Sequence, residues 1–253
     1  MRSRQPFPAP ADVRHYLGAW SALSVVQFFV AESVAALRWA GPSPYSLTEN
    51  FISDLGALRC GLHGTRFVCS PLNWLMDVSF VLQGFGMIVA ALLITSSVLY
   101  VAARSTAPRS AAVQSAKGLT ATTTVRVLLG LAGAGLVVVG LVPEDTFAGV
   151  HLTGAGFYFG GGSLALVVLG AQWLGRTSAG WAVLGLGAIA LVATVIAALT
   201  RLHVPAPGFL ERIMAYSITV GIAVMGAVIF SGARRTRTRL RRLRSARPSS
   251  AAS

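Results

Sequence analysis

The chain has 253 residues, of which 54% are hydrophobic and 11% charged, with a mean hydropathy of +0.67. Soluble domains carry about 25% charged residues, so an ordinary water-soluble fold is excluded. The formal charge of +13 does not indicate nucleic acid, because eight arginines are concentrated in residues 234–247 rather than spread over a domain surface.

Six apolar runs follow one another along the chain, at residues 17–37, 74–101, 125–142, 152–174, 179–200 and 213–233. A hydrocarbon core about 30 Å thick is crossed by roughly 20 apolar residues in a helix. Four runs match that length; the second is long enough to tilt, and the third is short and contains Arg126. The pattern predicts an all-α, polytopic bundle of six transmembrane helices, and hence a multi-pass integral protein of the cell membrane. It divides into a cytoplasmic segment at 1–16, a six-span domain at 17–233 and a basic cytoplasmic tail at 234–253. The first run is too long for the apolar part of a cleavable signal and reads as a retained span. The Pro-rich start, residues 104–124 and the chain after Ser245 read as flexible. No internal repeat is evident.

Orientation follows from the positive-inside rule. With six spans both termini share a side, and that side collects 16 of the 21 Lys and Arg. Both termini are therefore expected in the cytoplasm. Seven of the eight acidic residues fall on the other side, Asp12 being the exception. Cys60 and Cys69, the only two cysteines, lie in the first extracytoplasmic loop. A disulfide there suits an oxidising compartment and contributes about 2–3 kcal/mol by loop entropy; free thiols or a metal pair are the alternatives.

The chemistry-bearing residues gather on the same side. The loop of residues 38–73 holds Ser53-Asp54 among Phe51, Ile52 and Leu55, too apolar for simple disorder. Asp54 reads either as a carboxylate over a pocket or as part of a helix cap or Asx-turn. Asp77 shares a helical face with Asn73, Phe80 and Gly84, a face expected to point into the bundle. Glu32 lies in the outer half of the first span, where a carboxylate is costly and needs a partner; Arg38 is a candidate. Glu144 and Asp145 precede His151, which opens a helix whose Gly154, Ala155, Tyr158, Gly161 and Gly162 share one side and permit close packing. The last loop adds Arg201, His203, Glu211 and Arg212, with Glu211 and Arg201 also placed to complement helix dipoles. Asp54, Asp77, Glu144, Asp145 and His151 form the candidate catalytic or binding cluster, with Glu32 and His203 in support. Acid/base chemistry, a metal or a polar head group would each suit it. No motif decides whether the chain is an enzyme, and no cofactor is indicated.

A family resemblance rests on these residues. Asn50-Phe51-Ile52-Ser53-Asp54-Leu55-Gly56, then Ser70-Pro71, Asn73, Asp77, Ser79 and Phe80, then Gly140-Leu141-Val142-Pro143-Glu144, and His151 with Gly154 and Ala155, resemble the prokaryotic membrane family catalogued as domain of unknown function 998. The likeness runs from the first span to the sixth, and the family implies no assigned activity. More loosely, Ile52, Ser53, Asp54 and Gly56 with His151, Gly154 and Ala155 resemble landmarks of the eukaryotic Frag/DRAM/Sfk six-span proteins. Those proteins are associated with lipid-anchor remodelling, autophagy and lipid asymmetry. The Cys60–Cys69 insertion and the basic tail depart from that group. By analogy, the resemblance implies a lipid-facing role.

The leading functional expectation is an integral membrane protein that binds or modifies a lipid or lipid-linked head group at its extracytoplasmic face. A non-enzymatic scaffold or accessory subunit with a protein partner is the alternative. A proton-coupled carrier is a further one, but the inner halves of the helices carry almost no ionisable residues for a relay. Arg234, Arg235, Arg237, Arg239, Arg241, Arg242, Arg244 and Arg247 are expected to touch anionic lipid.

Overall fold

The architecture comes from a computed structural model that describes residues 13–95, 116–175 and 177–245, apart from the side chains of 116–119, 122, 239–241 and 243–245. Helices α1 (Val13–Leu23) and α2 (Gln27–Leu37) are joined by a 3-10 turn at Ser24–Val26 and together make the first span. The others are α3 (Asn73–Leu93), α4 (Ala116–Leu141), α5 (Ala148–Trp173), α6 (Ala179–Thr200) and α7 (Pro207–Ser245). Six helical stretches are long and apolar enough to cross a membrane, so the fold is an all-α six-helix bundle of a multi-pass membrane protein.

Local chemistry sets the helix ends. Pro207 stands at the first position of α7, where its missing N–H costs nothing. Helix α3 stops at Leu93, and Ile94 turns extended at φ −82° and ψ 111°. Residues 96–101 of the expected second run lie outside the described residues. Two boundaries move relative to the sequence expectation. Part of the segment expected to be loop at 104–124 is helical, since α4 begins at Ala116; residues 104–115 are not described. The last helix does not end with its apolar run but continues through the arginines to Ser245, because Arg and Leu are good helix formers and no Gly or Pro intervenes between 233 and 245.

The spans form a closed ring. Each of α3 to α7 packs on the next in chain order, and α1 with α2 fills the gap between α7 and α3. Phe28, Met76, Phe80, Met87, Leu166 and Ile218 are among the residues buried inside. Leu82, Phe85, Leu92, Val127, Val192 and Leu199 face outward and exposed. An apolar girdle of this kind is stable only against lipid. Close helix packing is achieved by glycine. A Cβ built on Gly154 of α5 would stand 2.7 Å from the Gly135 carbonyl of α4. One built on Gly162 would stand 2.9 Å from Ile218 of α7. The small-residue face of α5 is thus used for packing against two neighbours.

At one end of the ring, here the loop end, the connection between the first and second spans folds over the bundle. It contains a 3-10 turn at Ser53–Gly56 and a hairpin of β1 (Gly61–His63) and β2 (Arg66–Val68). The hairpin reverses at Gly64-Thr65, with Gly64 at φ 63°, the backbone that a two-residue turn requires and Gly adopts freely. A Cys60–Cys69 disulfide closes its base.

Candidate functional site

Two polar centres hold the long loop onto the helices. The first is built on α7. Arg212 and Glu32 are 3% and 4% exposed and lie 3.1 Å apart as an ion pair, without hydrogen-bond alignment. Tyr216 donates to the other Glu32 oxygen at 2.8 Å. Arg212 Nη1 donates to the carbonyls of Leu47, Asn50 and Gly208 at 3.0, 2.8 and 3.0 Å, and Nη2 donates to the Tyr45 hydroxyl. Tyr45 in turn donates to the Phe51 carbonyl at 2.8 Å; burial pushes its phenol well above the ordinary range, so it acts as a neutral donor. Glu211 accepts from the Ile52 N–H. One arginine thereby neutralises a carboxylate in the first span and supplies hydrogen bonds to partly buried loop carbonyls. Glu32 is partnered by Arg212, not by the exposed Arg38.

The second centre is built by the hairpin. His63 and Arg66 are cross-strand partners, so their side chains leave the same face. Asp54, with no exposure at all, accepts from Arg66 Nη2 at 2.9 Å and from the Phe51 N–H at 2.8 Å, with Asn50 Nδ2 at 3.5 Å. The Arg66 guanidinium lies 4.2 Å from the centroid of the Phe51 ring. Burial opposes its charge, but the hydrogen bonds and charge of Asp54 outweigh burial and raise its pKa. Glu144, from the connection between α4 and α5, accepts from Ser53 at 2.8 Å and stands 3.6 Å from His63 and 3.8 Å from Arg66.

Burial first, and then the neighbouring Asp54 charge, push the Glu144 carboxyl up to about 8. A carboxyl whose pKa is higher in the folded than in the unfolded chain binds more protons when folded. Its contribution is full below the unfolded value and disappears as pH rises through about 8. The loop end should therefore loosen progressively as pH rises toward about 8, and Glu144→Gln should reduce that dependence. Proteolytic nicking of the loop between pH 6 and 9 measures it; equal rates across the range would contradict the assignment.

The remaining expected residues divide. Asp145 accepts from the N–H groups of Leu58 and Arg59 at 3.1 and 2.9 Å and anchors the segment before the hairpin. Asp77 is half-buried, with its carboxylate packed against Gly56 and no hydrogen bond among the described residues. His151 is buried, and its Nδ1 lies 2.8 Å from the Val142 carbonyl. That contact requires the proton on Nδ1 and leaves Nε2 as an acceptor. His151 lines a small cavity of about 30 Å³, together with Ser53, Glu211, Gln83 and Tyr158. Gln83 Nε2 donates to Thr219 at 2.9 Å and Tyr158 at 3.3 Å, while its buried Oε1 has no protein partner. The space suits a bound water. No group of three or more His, Cys, Asp or Glu is placed to hold a metal ion among the described residues.

His203 is exposed and separate from the carboxylates, with Nδ1 3.1 Å from the Thr200 carbonyl. It lines a solvent-open groove of about 650 Å³ beside the hairpin, with Glu49, Arg66, Arg201, Trp39 and Phe51. Arg201 and Leu202 end α6 in the left-handed region, at φ 51° and 61°. Two successive non-glycine residues there are uncommon. The reversal is held by the Leu202 N–H donating to the Ala197 carbonyl at 3.1 Å. Leu152, on the first turns of α5 and 62% exposed, borders the same groove, so the groove runs up to a membrane-spanning helix.

At the opposite end, Arg234, Arg235 and Arg242 line an open depression with Phe230 and Ser231 on α7. The side chains of Arg239, Arg241 and Arg244, and the whole of Arg247, lie outside the described residues. Sequence reasoning missed Arg66, Tyr45 and Tyr216 as constituents of the polar centres and Gln83 as lining of the cavity, and named Arg212 in the last loop without a role. The one available signal was that buried carboxylates at Glu32 and Asp54 each require a cation.

No curated protein and no solved structure matches the chain. A family model does match, over residues 22–228, which takes in α2 to α6, the first part of α7 and both polar centres. The chain belongs to the family described as protein of unknown function DUF998.

Proposed function

We propose that this multi-pass membrane protein binds a lipid or lipid-linked head group at the loop end, and that the loop end is extracytoplasmic. The observation that carries the reading is the groove, in which Arg66, Arg201 and His203 share one opening with Trp39 and Phe51 beside the exposed Leu152 of α5. Its volume lies within the roughly 300–1,000 Å³ of small-molecule sites. Cationic and aromatic groups bordering an apolar helix suit a molecule with a polar head and a hydrocarbon tail. Asp54 and Glu144 serve this site indirectly by positioning Arg66 and His63. The charge count of the loops supports the orientation, and the Cys60–Cys69 bond suits an oxidising compartment. At the other end, Arg234, Arg235 and Arg242 are then cytoplasmic and attract anionic lipid.

One observation favours the scaffold reading instead: Asp54, Asp145 and Glu32 all have their charges satisfied locally. Mass spectrometry of lipid co-purifying in mild detergent separates the two. A head-group site predicts a specific lipid retained by the wild type and lost from an Arg66→Gln/His203→Ala double variant that still elutes as a folded protein. The same lipids in both would sink the head-group reading and leave a search for a protein partner.

A further inference from the structure

Two features of the groove identify the kind of head group, and this step rests on the reading above. Four ionisable side chains line it: Glu49, Arg66, Arg201 and His203. The Arg66 charge is already matched by the Asp54 carboxylate at 2.9 Å. Among the described residues, the side chains of Arg201 and Glu49 have neither an ion pair nor a hydrogen bond. The groove thus holds one uncompensated cation and one uncompensated anion. His203 adds an imidazole whose Nδ1 is held by the Thr200 carbonyl, so that Nε2 faces a ligand.

Such a pair does not select a purely anionic lipid, because Glu49 repels a second negative charge. Nor does it select a neutral sugar, which would leave both charges unmatched. It matches a ligand that carries a phosphate and an ammonium together. We infer that the groove takes a zwitterionic phospholipid head group of the phosphoethanolamine type, its phosphate on Arg201 and its ammonium on Glu49. Arginine offers two parallel donors to phosphate oxygens, and an ammonium donates directly to a carboxylate. The acyl chains would pass along Leu152, which is 62% exposed at the groove's border.

The test uses the full chain in micelles holding equal amounts of phosphatidylethanolamine and phosphatidylglycerol, with retained lipid counted by native mass spectrometry. Binding is read as the difference between wild type and each groove variant, so lipid held by the arginine tail cancels. Glu49 and Arg201 are both exposed, and substitution there leaves the core untouched. The expected result is a phosphatidylethanolamine preference of about tenfold, the worth of one charge-assisted contact. Glu49→Gln should abolish it, Glu49→Lys should turn it toward phosphatidylglycerol, and Arg201→Gln should reduce retention of both lipids. A phosphatidylglycerol preference in that difference overturns the zwitterion, as does a phosphatidylethanolamine preference that survives in Glu49→Gln. If Arg201→Gln still loses lipid in either case, the head-group site itself stands. Retention that depends on neither residue overturns the zwitterion assignment, and the Arg66→Gln/His203→Ala comparison then decides the head-group reading.

Discussion

Replacement of Arg212 by methionine is expected to lower stability by about 3–5 kcal/mol, the usual effect of stranding a buried charge. Glu32, 4% exposed in the first span, would keep only the Tyr216 hydroxyl. The loop carbonyls of Leu47 and Asn50 would lose the Arg212 donor. Methionine keeps most of the side-chain volume, so the loss isolates charge and hydrogen bonding from packing. In detergent the unfolding temperature should fall by on the order of 10 °C. Adding Glu32→Gln should recover part of that loss, because no ionised group then remains unpaired, while the loop carbonyls stay unsatisfied. Stability within about 1 kcal/mol of wild type in the single variant would show that water enters and solvates Glu32. A double variant no better than the single would assign the whole effect to the loop carbonyls.

The second large effect is expected at Gly154. Alanine there puts a Cβ 2.7 Å from the Gly135 carbonyl and 3.1 Å from Val138 on α4. The first contact is with backbone inside a packed helix, so relief requires α4 and α5 to separate. Overpacking of that kind costs about 1–3 kcal/mol, and the separation propagates because α5 also packs on α6 and α7. The same helix supplies the control. A Cβ at Gly156 or Gly160 would meet nothing within 4 Å, and alanine should be neutral or stabilise the helix by up to about 1 kcal/mol. Thermal unfolding of Gly154→Ala beside Gly156→Ala decides the matter. Equal behaviour of the two would mean that the α4–α5 contact is looser than described.

The candidate site was legible in part. Asp54 and Glu144 stood out because carboxylates among apolar loop and helix residues need partners, and the fold brings both to Arg66. His203 was grouped with them by side of the membrane alone, and in the fold it serves the groove instead. Asp145, by contrast, is a local anchor for Leu58 and Arg59. Arg66 went unnoticed and Arg212 was named without a partner, because an arginine in a loop or at a helix start looks solvated until the far side of the chain is placed against it. Helix α7 outlasting its apolar run is a different case. Hydropathy marks where a bilayer can sit, whereas helix continuation depends on backbone propensity, and arginine satisfies the second without the first.

By itself, the sequence determined the number of spans, the class of fold, the family and the side on which the polar residues gather. Those are sums over neighbouring residues: twenty apolar positions in a row commit a segment to lipid whatever lies elsewhere. Only the tertiary structure decided which charge meets which. Tyr216 reaches Glu32 across 184 positions of sequence, and Arg212 reaches Leu47 across 165. Such pairings follow from the order in which the helices close their ring. No local pattern encodes that order, because desolvation makes a buried charge demand a partner without specifying which one.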